Sequence, residues 1–73
     1  MNNEYVFVLS FHTLNNAYVI DAFTLAELAE IAMYRRMEKL DEVLDYDRPN
    51  DDCVRYFTTK GTYVIDRKRL KSS

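Results

Sequence analysis

An α+β domain of order ββαββ, a four-stranded antiparallel sheet with one amphipathic helix packed across one face, is what this sequence of 73 residues predicts. Three observations lead there. The run from Tyr5 to His12 is apolar at nearly every position and rich in β-branched and aromatic types, which marks a strand buried on both faces. Thr24 followed by Glu27 is a capping-box pattern, and it opens a long stretch of helical periodicity. Lys60-Gly61 separates two short strand-like runs in the manner of a tight hairpin.

The first strand is expected at about residues 4-12, with Tyr5, Phe7, Leu9 and Phe11 on one face and Val6, Val8, Ser10 and His12 on the other. Thr13-Leu14-Asn15-Asn16 breaks the run, because Asn bonds its own backbone and tolerates positive φ. The chain then returns in a second strand at about 17-22. A helix is expected at about 24-45, with Thr24 as N-cap and Phe23 against Leu28 as hydrophobic staple. Leu25, Ala26, Leu28, Ala29, Ala32, Met33, Met37, Leu40, Val43 and Leu44 share its apolar half. Arg36 falls in that half and is read as snorkelling outward along its stem. Ile31 and Tyr34 fall in the polar half, one turn apart, and form a sticky patch suited to a second contact.

Three acids, Asp41, Glu42 and Asp45, stand near the carboxyl end of that helix. The macrodipole disfavours negative charge there by about 0.3–1 kcal/mol each, so a role other than helix stability is implied. Residues 46-52 read as a loop, since Pro49 excludes a helix beyond Arg48. Strands at about 53-59 and 62-66 close the fold, with Gly61 supplying positive φ to their turn. Residues 68-73 read as a loose tail.

A chain this short forms one domain and buries only about 60% of the surface its unfolded form exposes. Cys53 is the only cysteine, so no internal disulfide forms and a reducing compartment is the natural reading. Met-Asn-Asn-Glu lacks the basic start of a signal peptide, and the apolar run after it is too short to span a bilayer. A cytoplasmic protein with no membrane partner is expected.

The net charge is only −2, but it is sorted into blocks. Residues 41 to 52 carry Asp41, Glu42, Asp45, Asp47, Asp51 and Asp52 against Arg48 alone, a net of −5. Residues 60 to 73 carry Lys60, Arg67, Lys68, Arg69 and Lys71 against Asp66, a net of +4. Each block sets up a local field able to steer a partner.

Catalytic chemistry has little to draw on. His12 and Cys53 are the whole supply of imidazole and thiol, too few for a zinc site or a nucleophile triad. Residues 45 to 52 fail as a calcium loop of the EF-hand kind, because Asn50 stands where the glycine belongs, Tyr56 where the bidentate Glu belongs, and Pro49 at a ligand position. A single glycine makes no phosphate loop. No cofactor, metal or enzymatic activity is expected.

The favoured expectation is a small protein-binding module that occupies a larger protein or nucleoprotein through an acidic surface. That surface comprises Asp41, Glu42, Asp45, Tyr46, Asp47, Asp51 and Asp52, with Tyr46 as anchor. Its alternative is a nucleic-acid-binding or regulatory module using Arg55, Lys60, Arg67, Lys68 and Arg69, among which Tyr56 and Tyr63 provide aromatic rings. A homodimer pairing acidic loop to basic tail would also use the opposed blocks. In size and general plan, a compact acidic ββαββ chain resembles small inhibitors encoded by phages and mobile elements, anti-CRISPR proteins among them. That resemblance implies an inhibitor or regulator.

Overall fold

The computed structural model describes residues 5–69. Its elements are β1 (Tyr5–His12), β2 (Ala17–Phe23), α1 (Ala26–Lys39), β3 (Leu44–Pro49), β4 (Cys53–Thr58) and β5 (Thr62–Arg69). The fold is therefore α+β, with one antiparallel sheet of five strands in the order β2-β1-β5-β4-β3. The order is ββαβββ, and the four-stranded ββαββ expectation is corrected by one strand.

That extra strand is gained where the helix was expected to continue. Helix α1 ends at Lys39 because Asp41 turns into the left-handed region, φ 57°. Two hydrogen bonds then close a Schellman motif: the Asp41 N–H donates to the Glu38 carbonyl at 3.3 Å and the Glu42 N–H to the Met37 carbonyl at 2.8 Å. Asp holds a position usually given to Gly, as its short polar side chain permits. Residues 44-49, expected as helix end and loop, instead pair with β4.

The helix start is corrected too. Leu25, in extended conformation, is the N-cap, and no side chain caps it. Thr24 and Glu27 form no capping box. Phe23 belongs to β2 and packs on the core.

The remaining corrections lie in the last hairpin. Its turn runs Thr58 to Gly61, with the Thr58 N–H donating to the Gly61 carbonyl at 2.8 Å. Gly61 does not have positive φ. Glycine is needed there for space instead: a Cβ would lie 2.5 Å from Phe11 Cζ and 2.7 Å from the His12 carbonyl oxygen. Lys68 and Arg69 extend β5 rather than opening a loose tail, and the rest of that tail lies outside the described residues.

The expectation that β1 is buried on both faces is corrected: Leu9 is buried with Phe7 and Phe11 packed round it on the helix side, while Val8 and Ser10 on the other side are only half-buried. Leu9, Tyr63, Ile65 and Tyr56 lie beneath Ala29, Met33 and Met37 of the helix, and Phe7, Phe11, Ile20, Phe23, Ala32, Leu44 and Val54 pack around them. The opposite face of the sheet has no helix on it. Among the described residues, α1 is the one helix and it covers one side only.

Candidate functional site

The two faces of the sheet use charge in opposite ways. On the helix side, acids are taken into the structure. Glu42 is 8% exposed, its Oε1 accepting from Thr58 Oγ1 at 2.9 Å and its Oε2 from the Tyr63 hydroxyl at 2.8 Å. Glu30 accepts from the Tyr56 hydroxyl at 2.9 Å. Burial first, then the hydrogen bond and charge of Glu42, pushes the Tyr63 hydroxyl up to about 12; nearby Arg36 opposes this. Burial and then Glu30 raise Tyr56 in the same sense. Both phenols therefore stay protonated and serve as donors.

Arg36 stays at this side instead of snorkelling free. Its guanidinium donates to the Tyr18 hydroxyl and lies 5.6 Å from the centre of the Tyr18 ring. Tyr34 meets Tyr56 edge-on, with centroids 6.4 Å apart, while Ile31 and Tyr34 each remain 47% exposed. Ile31 and Tyr34 thus form a small exposed patch, with one ring held by the core.

The acidic block does not form one surface. Glu42 is in the core. Asp52 binds Arg67 at 2.6 Å, and the Arg67 N–H donates to the Asp52 carbonyl at 2.7 Å. Asp41, Asp45, Asp47 and Asp51 are exposed, but they are spread over the helix turn, β3 and the β3-β4 turn. In register, Asp47 faces Tyr56 and so looks to the helix side, whereas Tyr46 faces Phe57 on the other side. Of these acids only Asp41 and Glu42 stand at the carboxyl end of α1, whose last turn carries Arg36 and Lys39; Asp45 has moved into β3.

The basic set divides as well. Lys60 Nζ donates to the Leu40 carbonyl at 2.8 Å and so caps the helix. Arg67 lies on the helix side, over Tyr5 at 4.7 Å and paired with Asp52, whose hydrogen bond raises its pKa. Arg69 belongs to the same side by alternation. Arg55 and Lys68 fall on the open face, where Lys68 pairs with Asp66 at 3.3 Å.

That open face is a shallow groove of about 1010 Å³. Val8, Ser10, Val64, Thr62 and Phe57 form its floor, and Arg48, Arg55 and Lys68 stand along it. Ser10 Oγ and His12 Nε2 share a hydrogen bond at 2.9 Å near one end. Cys53 is half-buried in the same face.

Where β3 meets β4, alternation and register assemble four side chains. Tyr46 stacks on Phe57, centroids 4.6 Å apart and planes 17° from parallel. Next along both strands, Arg48 stands directly opposite Arg55. Directly opposed residues have Cβ atoms about 4.5–5.5 Å apart, and like charges so placed repel. Among the described residues neither arginine makes an ion pair or hydrogen bond.

Reading the sequence alone did not single out Arg48 or Phe57 and put Tyr46 with the acids. The available signal was weak: alternation of Tyr46 with Arg48 inside what looked like a loop. Among the described residues, no three His, Cys, Asp or Glu side chains gather to hold a metal ion, and no helix is long and apolar enough to cross a membrane. No family model, no curated protein and no solved structure matches this chain.

Proposed function

We propose that this protein is a non-enzymatic binding module that holds a larger partner against the open face of its sheet. One observation carries the reading: a five-stranded sheet is covered on one side by its own helix, while the other side offers a groove floored by Val8, Val64 and Phe57 among small polar residues, with the unpaired Arg48 and Arg55 along it. A groove with convergent polar groups is the usual form of a binding site, and this one extends over several strands, as a macromolecular contact requires. The non-enzymatic part of the reading rests on the short supply of catalytic groups: one imidazole, one thiol, and two shifted tyrosines that are poorer acids than free phenol.

The exposed acids support a second reading, a protein partner captured by Asp41, Asp45, Asp47 and Asp51, because all four remain at the surface. Such charge raises the rate of encounter more than the strength of the complex. Site-specific photo-crosslinking in the native cell separates the two. A benzophenone side chain is placed at Ser10 on the open face, at Asp51 in the acidic turn, or at Glu27 on the outer helix. Crosslinks from position 10 are expected, with few from 51 and 27. Crosslinks from 51 alone would favour the acidic surface, and crosslinks from 27 alone would refute both.

A further inference from the structure

Resting on the open-face reading, we infer that Tyr46, Phe57, Arg48 and Arg55 form a subsite for one base and its neighbouring phosphate in single-stranded nucleic acid. The four side chains make a two-by-two block. One row is a stacked aromatic pair and the other an unpaired arginine pair, on adjacent strands in direct register. Rows two residues apart along a strand are separated by about 6.6 Å, a spacing that suits a flat base beside the phosphate of its own nucleotide.

Each row lacks something that such a ligand supplies. Tyr46 is 55% exposed, so the outer face of its ring is free to take a third stacked ring. A base stacks on any aromatic face without regard to sequence. Arg48 and Arg55 repel one another across the strands, and an anion between them turns that repulsion into two charge-assisted hydrogen bonds. An acidic peptide would satisfy the arginines and leave the aromatic row unused. A duplex would hide its bases within the stack and offer phosphate only.

Charge on the rest of the chain agrees with this polarity. The charged residues lining the open face are Arg48, Arg55 and Lys68 against Asp66, a net of +2, which leaves −4 to the rest of a chain that nets −2. A nucleic acid approaching the open face therefore meets the cationic side, although the whole chain nets −2. Lys68, further along the groove, extends the track for the backbone.

Fluorescence anisotropy of labelled single-stranded RNA of mixed sequence, titrated with the full chain at low and moderate salt, is the test. Saturable binding is expected, with Tyr46→Ala weakening it by about fivefold or more, the low end of what loss of one stacked base costs. Arg55→Gln should weaken it and flatten the slope of log affinity against log salt by about 0.7, the value for one phosphate contact on a single strand. Duplex RNA and polyglutamate should compete poorly. Three results would each overturn the assignment: no binding at low salt, Tyr46→Ala binding as tightly as the natural chain, or polyglutamate competing as well as RNA. Such a result alongside crosslinks from position 10 removes the nucleic-acid assignment and leaves the open face as a protein-binding surface; loss of those crosslinks as well removes the face itself.

Discussion

The covered and open faces of the sheet share the same strands, yet they differ in what is left unsatisfied. Between helix and sheet, Leu9, Tyr63 and Met33 are fully buried, and the acids Glu42 and Glu30 accept hydrogen bonds from Tyr63 and Tyr56. Across the sheet, Val8, Ser10 and Val64 are half-covered, and Arg48 and Arg55 face each other without a carboxylate. Charge on the first face is spent on folding. On the second, Lys68 pairs with Asp66 but Arg48 and Arg55 do not pair, and this difference, rather than the number of acids or bases in a segment, is the ground for proposing the open face as the working surface.

The largest effect expected from this contrast is on stability. Leu9→Ala removes a fully buried side chain and should cost about 2–5 kcal/mol, while Val8→Ala, one residue away on the open face, should cost about 1 kcal/mol or less. Urea melts of the two variants check it, and equal losses would mean that the open face is packed after all. Next comes the turn that ends the helix. Asp41→Val puts a β-branched residue at φ 57° and should cost about 1–2 kcal/mol by the same measurement.

Alkaline pH probes the covered face by another route. The Tyr63 hydroxyl is raised from 10.0 to about 12 in the folded chain, so the folded state holds a proton that the unfolded state releases. Its contribution is complete below pH 10 and is lost as pH rises through about 12, and Tyr56 acts in the same direction. Stability measured across that window should fall. In Tyr63→Phe the fall should be shallower. The smallest effect belongs to the open face, where Arg48→Gln relieves a like-charge pair and should leave stability unchanged or raise it by about 0.2–0.5 kcal/mol. A loss of stability in that variant would show that the arginine contributes to the fold.

Much of the covered face was legible in the sequence. Period-two spacing along Tyr5 to His12 separated the two faces of β1 correctly, and helical spacing put the buried Ala29, Met33 and Met37 in the apolar half, together with Leu25, Leu28 and Leu40, which are exposed. The open-face site was not, and the reasons are local. Leu40, Val43 and Leu44 continue the helical period past its true end, while the stop is a single Asp in a left-handed turn, a conformation that leaves little trace in composition. Glu42 looks like part of a solvated acidic run because its partners Thr58 and Tyr63 lie 16 and 21 residues away. With β3 read as a loop, no alternation could set Tyr46 and Arg48 beside Phe57 and Arg55. Register is a property of the paired strands, and neither segment carries it alone.

The central claim is that the open face, with its aromatic and arginine rows, is where the protein works. Amide chemical-shift mapping of the labelled full chain during titration with single-stranded RNA tests it most directly. Shifts gathered on Ser10, Tyr46, Arg48, Arg55, Phe57 and Val64, with Glu27, Glu30 and Glu38 unmoved, are the result expected. Shifts confined to the outer helix and the acidic turns would contradict it.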